Sequence, residues 1–294
     1  MFHSLWVAKT GMEAQDTRVA VIANNMANAS TTGFKKDLAH FTSLGYTTMR
    51  GQGAAEEGKE ASVGSVELGR GVKVTDTSKI YTQGGVKETG SESDFMVGGE
   101  GYFVLVDGDG QPYYTRDGHF EMVQDPDQAD TFNMMHVSSG MRMVAVQNAP
   151  TGGVVDNIAY TPLQISPPDV NGTKEIGPVV LDRDGQMLMQ TSVGDIPLET
   201  AQYIPLARFG SKSGLVQNPG GVFKDDPART GGATFLADLP EGGFGKISHK
   251  NLEISNVTVI DEMVDMIEAQ RGYDMGAKVL EKADEMMSTL IQRT

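Results

Sequence analysis

Three acidic runs, Asp107-Gly-Asp109-Gly110, Asp125-Pro-Asp127 and Asp182-Arg-Asp184-Gly185, space carboxylates much as an oxygen cage for calcium does. Counted from the first Asp of each, the twelfth position, where an EF-hand loop needs a bidentate Glu, holds Gly118, His136 and Val193. The runs therefore read as turns, in which Asp bonds its own backbone and Gly supplies positive φ. The five histidines, His3, His40, His119, His136 and His249, never approach zinc-ligand spacing. Cysteine is absent, which removes thiolate ligands, thiol nucleophiles and disulfides together. Lys59 and Lys246 follow glycines without a Ser or Thr after them, so there is no phosphate-cradling loop, and neither G-x-S-x-G nor S-x-x-K occurs. Carboxylate pairs of the glycosidase kind meet only in space, which keeps a β-rich cell-wall hydrolase open as an alternative. The expectation is a chain that is not an enzyme and holds no cofactor or metal.

Chemistry of another kind is suggested by "ANNMANASTTGFKK", Ala23 to Lys36, where Asn24, Asn25 and Asn28 crowd the end of a helical pattern. Asparagine amides compete for local backbone groups and weaken helices, so something other than propensity retains them. The chain has 294 residues, enough for a sizeable core, and 36 glycines, which suit many turns between short strands. A net charge of −15 excludes a nucleic-acid groove, which needs a clustered basic footprint. The start, MFHSLWVAKTG, lacks the parts of a cleaved secretory signal. Apolar runs such as Tyr102 to Val106 fall far short of the roughly 20 residues of a membrane helix, so no membrane insertion is expected.

The elements that must position these residues begin with two seams. Leu5, Met12, Val19 and Met26 recur every seven residues, with Ala8 and Ile22 three further on, and Gln15 is the polar intruder. At the other end Val259, Met266, Tyr273, Leu280 and Met287 recur likewise, with Met263, Ala277 and Ile291 four further along. A helix from Val257 to Ile291 would be about 50 Å long, and Thr258 ahead of Asp261 and Glu262 suits its start. Residues 1–36 carry four basic and two acidic side chains and 255–294 eight acidic and four basic, a weak complementarity that favours pairing of the two termini.

Between the termini the period changes. Val66 to Tyr81 favours extended chain, and Gly99 to Met122 reads as a hairpin with an apolar strand, an Asp-Gly turn and an aromatic return strand. Pro178 to Leu181, Gln186 to Gln190 and Tyr203 to Phe209 read as further strands, whereas Gly51 to Gly64 and Asp225 to Thr230 read as loops. The expected fold is α+β: terminal helices (1–40 and 252–294) paired as a coiled coil, an extended connecting segment (41–88) and a central all-β domain (89–251).

"SLWVAKTGMEAQDTRVAVIANNMANASTTGFKK", "GGEGYFVLV" with "YYTRDGHF", and "ISNVTVIDEMVDMIEAQRGYDMGAKVLEKADEMM" together resemble the bacterial flagellar rod and hook family, nearest its distal-rod branch, with a hook or proximal rod subunit as the alternative within it. The resemblance implies an axial structural subunit that polymerises helically and transmits torque, exported without a cleaved signal peptide into a periplasm-spanning rod. Implied partners are further copies of itself, proximal rod proteins, the hook-side junction and hook protein, the surrounding P- and L-ring proteins and the flagellar export apparatus. The residues it assigns to assembly are Leu5, Met12, Val19, Ile22 and Met26 with Met263, Met266, Tyr273, Leu280 and Met287 in the packed inner tube, Asn24, Asn25 and Asn28 fixing register between subunits, and Asn256. Gly33 is expected to end the first helix in the left-handed conformation, with Phe34 folding back in a Schellman cap. Tyr46 to Gly71 matches a segment that stiffens the shaft, while Gln124 to Gln147 and Val155 to Thr173 depart from the family pattern.

Overall fold

The computed structural model describes residues 2–50, 66–125, 131–147, 154–155, 160–166, 169–170, 173–174, 179–181, 187–191, 194–197, 202–236 and 245–292. They include helices α1 (Phe2–Ala27), α2 (Pro227–Thr230) and α3 (Val259–Gln292). The chain forms two compact units, the first comprising residues 1–28, 36–80 and 257–294 and the second residues 29–35 and 81–256. The segment 252–256, expected with the terminal helix, thus belongs to the second unit. No helix among the described residues is long and apolar enough to cross a membrane.

The first unit is α1, α3 and a β ribbon. Strand β1 (Asp37–Ser43) pairs antiparallel with β4 (Val72–Lys79), from Asp37↔Lys79 to Ser43↔Val72, and β2 (Tyr46–Arg50) pairs with β3 (Val66–Gly69). Bonds from Leu44 N–H to Gly71 O and from Arg70 N–H to Gly45 O join the two pairs. The described part of 41–80 is therefore extended because it is a paired ribbon. Gly51 to Gly64 lies outside the described residues. α3 starts where the hydroxyl and carboxylate pattern placed it, with Glu262 N–H donating to Thr258 O at 3.1 Å.

The second unit is β-rich and includes strands β5 (Val86–Glu88) and β6 (Phe95–Gly98). Its centre is β7 (Tyr102–Val106), buried along all five residues. Strand β8 (Pro112–Thr115) lies on one edge; Leu206–Phe209 and β11 (Arg142–Gln147) share the other. Alternate side chains of β7 enter two cores: Phe103 and Leu105 pack with Phe120, Met134 and Met143, while Tyr102, Val104 and Val106 pack with Tyr114, Phe209 and Phe223. The unbroken apolar run YFVLV is what a strand covered on both faces requires. At the hairpin end, Asp107 Oδ1 accepts from Gly108 N–H, and Gly110 sits at φ 75°, so this acidic run is a turn. Asp125 is buried and accepts from Asn133 Nδ2 at 2.9 Å; Asp182 to Gly185 lies outside the described residues.

The described residues of the stretch from Gln124 to Gln147, unfamiliar by pattern, include β10 (Phe132–His136), which pairs antiparallel with β9 (Phe120–Gln124) and with β11. Asp225 to Thr230 is not a plain loop. Asp226 caps α2 by accepting from Ala228 N–H, Pro227 occupies the first turn, and Gly231 closes it at φ 82°.

Candidate assembly site

In the first unit α1 and α3 run antiparallel. Arg18 Nη2 lies 2.8 Å from Asp265 Oδ1 and 3.6 Å from Glu268 Oε2, Gly272 faces Gln15, and Gly276 faces Met12. A Cβ on Gly276 would stand 2.6 Å from Met12 Cγ, so the methionine side chain packs into the space that the glycine leaves. The face of α3 turned to α1 is built from buried Glu262, Ala269 and Ala283 with these glycines. Of the expected seam, Met266, Leu280 and Met287 are half-buried, but Met263 and Tyr273 stand exposed. On α1, Ile22 is buried and Leu5, Met12, Val19 and Met26 are half-buried.

The asparagines act inside this unit. Asn25 is 1% exposed; its Nδ2 donates to Asp37 O at 2.9 Å and Glu262 Oε2 at 3.1 Å, and its Oδ1 accepts from Asp37 N–H at 2.8 Å. Lys36 Nζ adds a contact of 2.5 Å to the other oxygen of Glu262. One amide therefore clamps the end of α1, the start of β1 and the first turn of α3. Asn28 Nδ2 donates to Asn24 O at 2.9 Å, and Asn24 Nδ2 stands 3.4 Å from Asp37 Oδ2. All of these partners lie in the same chain.

Gly33 corrects one expectation. α1 ends at Ala27, six residues earlier, where Asn28 N–H donates to Asn24 O and Asn25 O, so no Schellman cap forms at Gly33. Its φ of 65° serves another contact within the second unit. Gly33 N–H donates to Glu253 O at 2.8 Å, and a Cβ there would sit 2.6 Å from Asp117 N. Phe34 is buried beside it.

Around Gly33 lies a buried ionic node that sequence patterns did not single out. Lys35 Nζ bonds Glu253 Oε1 at 2.5 Å and Thr82 O at 2.9 Å; Glu253 Oε1 also accepts from Gly84 N–H at 2.8 Å, and Arg116 Nη1 is 3.4 Å from Glu253 Oε2. Burial pushes the Lys35 ammonium below its ordinary range, against the pull of Glu253. Asp117 is buried, which by itself would raise its carboxyl. Hydrogen bonding and charge from His136, whose Nε2 stands 3.2 Å away, and bonds from Thr32 and His119 N–H outweigh burial and hold it below the usual carboxylate range. Asn256, an expected assembly residue, here donates from Nδ2 to the Thr82 hydroxyl at 3.0 Å.

Comparison with known proteins follows the same three segments. Residues 5–35 match the family described as flagella basal body rod protein, 96–189 the flagellar hook protein FlgE/F/G D1 domain, and 249–293 the flagellar basal body rod FlgEFG protein C-terminal. The flagellar basal-body rod protein FlgG of Caulobacter vibrioides is 34% identical over 292 residues, 99% of this chain and 98% of the relative. That of Agrobacterium fabrum is 32% identical over 97% of each chain. The chain belongs to the flagellar basal-body rod family.

The flagellar hook protein FlgE of Treponema pallidum is 35% identical over 144 residues, which cover 49% of this chain and 29% of the hook protein. As a member of the rod family the chain is a structural protein and not an enzyme. The Lys35, Arg116 and Glu253 of the ionic node come one from each matched segment, so the three segments meet in this rod protein's second unit.

The rod protein's α3 also has a second apolar face. Ile260, Val264 and Ile267 repeat at helical spacing on the side opposite Glu262 and Ala269, and they are 72%, 53% and 48% exposed. Met275 and Met286 extend this exposed face. Sequence periodicity missed it because a single seam was sought in a helix that carries two.

Proposed function

We propose that the chain is a subunit of the distal rod, polymerising helically into a rigid shaft that transmits motor torque to the hook. The observation that carries this reading is the outer face of α3. Branched apolar side chains on successive turns, left in water, are what a subunit keeps for its neighbours. α1 and α3 pair as an antiparallel coiled coil that contributes to an inner tube, and the β1–β4 ribbon, with the stretch 46–71, braces adjacent copies. End-to-end likeness to rod proteins, against likeness over half the chain to a hook protein, favours rod over hook. Proximal rod proteins, the hook-side junction, the hook protein and the P- and L-rings are the proposed neighbours. The subunit reaches its periplasm-spanning place through the flagellar export apparatus, without a cleaved signal peptide.

The test is concentration of the purified full chain with electron microscopy and sedimentation. The wild type is expected to grow open-ended filaments. Val264→Asp with Ile267→Asp is expected to leave it monomeric with the near-ultraviolet signal of the aromatic second unit unchanged. A particle of fixed size, or a double variant that elongates like the wild type, would refute the reading.

A further inference from the structure

We propose that the fold makes the Asp107-Gly108 peptide a site of spontaneous isomerisation to isoaspartate. The pair Asp-Gly begins at Asp107, Asp109, Asp117 and Asp184, and the last of these lies outside the described residues. Isomerisation needs the nitrogen of the following residue to reach the side-chain carbonyl carbon of the aspartate. In the turn between β7 and β8, Asp107 Oδ1 lies 2.8 Å from Gly108 N, which brings Cγ, one bond from that oxygen, near attack distance. The turn holds this geometry, because Asp107 N–H donates to Gln111 O at 3.1 Å and Gly110 N–H donates to Asp107 O at 3.0 Å. Gly108 is exposed, and a Cβ on it would meet nothing within 4 Å, so the ring and the attacking water both have room.

Gly108 N bonds to Asp107 Cγ and gives its proton to solvent, while one carboxyl oxygen leaves as water, and a five-membered succinimide results. Water then opens the ring. Opening at Cγ restores aspartate; opening at the backbone carbonyl carbon leaves the chain running through Cβ and Cγ with the α-carboxylate free. One water leaves and one enters, and nothing is oxidised or reduced. The other two described pairs share the sequence but not the geometry. Gly110 N–H is directed to Asp107 O and not to the carboxylate of Asp109. Asp117 is buried, and its carboxylate accepts from His119 N–H at 3.1 Å and from the Ser138 hydroxyl at 3.2 Å, with His136 Nε2 also 3.2 Å away. A Cβ on Gly118 would stand 1.6 Å from Phe95 O, so the backbone there is too tightly clasped for a ring to close. Isoaspartate at 107 removes the acceptor of Gly110 N–H and lengthens the turn, while the pairing of β7 with β8 from Phe103↔Thr115 to Val106↔Pro112 is retained.

The test is prolonged incubation of the purified full chain at neutral pH, with a parallel sample unfolded in guanidinium chloride. Peptide mapping by a fragmentation method that separates isoaspartate from aspartate reads each site. Transfer of a labelled methyl group from S-adenosylmethionine by a protein isoaspartate methyltransferase gives the total. In the folded chain isoaspartate is expected to accumulate at 107 at least fivefold faster than at 109 and at least tenfold faster than at 117, and unfolding is expected to bring the three rates together. Gly108→Val crowds the closing ring and is expected to slow the reaction at 107 at least tenfold with the near-ultraviolet signal unchanged. Absence of isoaspartate at 107, or equal rates at 107 and 109 in the folded chain, overturns the proposal. The same excess at 107 in the unfolded chain also overturns it, by tracing the reaction to sequence and not to the turn. None of these outcomes depends on filament growth, so the rod reading stands or falls separately.

Discussion

Replacing Asn25 by alanine isolates the asparagine clamp. The amide makes two bonds to the backbone of Asp37 and one to the carboxylate of Glu262, in a position 1% exposed. Neutral bonds contribute about 0.5–1.5 kcal/mol each and a bond to a charged group about 1.5–3 kcal/mol, so the three together contribute about 2.5–6 kcal/mol. The alanine cannot reach either backbone group, and Asp37 N–H and the Glu262 carboxylate lose a partner where water has little access. Asn24→Ala is the control, since its amide is exposed and its bond to Asp37 Oδ2 is 3.4 Å long; its expected cost is under about 0.5 kcal/mol. Urea denaturation of the full chain, followed by circular dichroism at the helix band, reads the difference. With a slope of about 2–3 kcal/mol per molar urea, the Asn25 variant should unfold at least about 0.7 M earlier than the Asn24 variant. Equal midpoints for the two variants would refute the clamp and return the amides to contacts between copies.

Glycine positions give a second comparison. Gly33→Ala places a Cβ 2.6 Å from Asp117 N on a residue at φ 65°, and is expected to cost more than 3 kcal/mol on the urea midpoint of the second unit. Gly110→Ala, at φ 75° with open space around it, should cost about 1–2 kcal/mol. In the ionic node, Lys35→Met leaves Glu253 buried with only the more distant Arg116 as counter-charge and is expected to cost about 3–5 kcal/mol. The double variant Lys35→Met with Glu253→Gln should cost less than the sum of the single ones, a coupling that a denaturant double-mutant cycle measures. Asp117, held below the usual carboxylate range in the folded state, gives stability that is fully present above its ordinary value near 3.8 and is lost as pH falls through the lowered value. Asp117→Asn should therefore be less stable than the wild type at pH 6, and the gap measured by denaturation should shrink on titration below pH 3.8; a gap constant down to pH 2 would contradict the assignment.

What was legible in the sequence was whatever repeats locally. The run YFVLV, the Asp107 turn and the hydroxyl before α3 each carry their signal within a few residues, and the structure has a doubly covered strand, a turn and a helix start there. The signal for α2 was equally local, since Asp226-Pro227 and Gly231 are a cap, a first-turn proline and a left-handed stop, but four residues between them give no period to notice. The clamp and the node were illegible for the opposite reason. Asn25 meets Glu262 across 237 positions and Lys35 meets Glu253 across 218, and residue type by itself signals that an amide is wanted without saying by what.

The expected seam of α3, half-buried at Met266, Leu280 and Met287 and exposed at Met263 and Tyr273, is incomplete for a physical reason that bears on function. A hydrophobic-repeat search weights residues by size and apolarity, so it passes over Ala269, Gly272, Gly276 and Ala283 and settles on methionines and tyrosine. Yet close approach of two helices is made by small residues, which admit the partner's backbone, while large apolar residues on the opposite face remain in water. A helix serving one chain has no use for that outer face. One serving a filament needs two faces, a small-residue face that holds its own partner helix and a large-residue face that reaches the next copy. In α3 the residues that periodicity could not reconcile with a single seam are therefore those through which the subunit is expected to make contacts beyond itself.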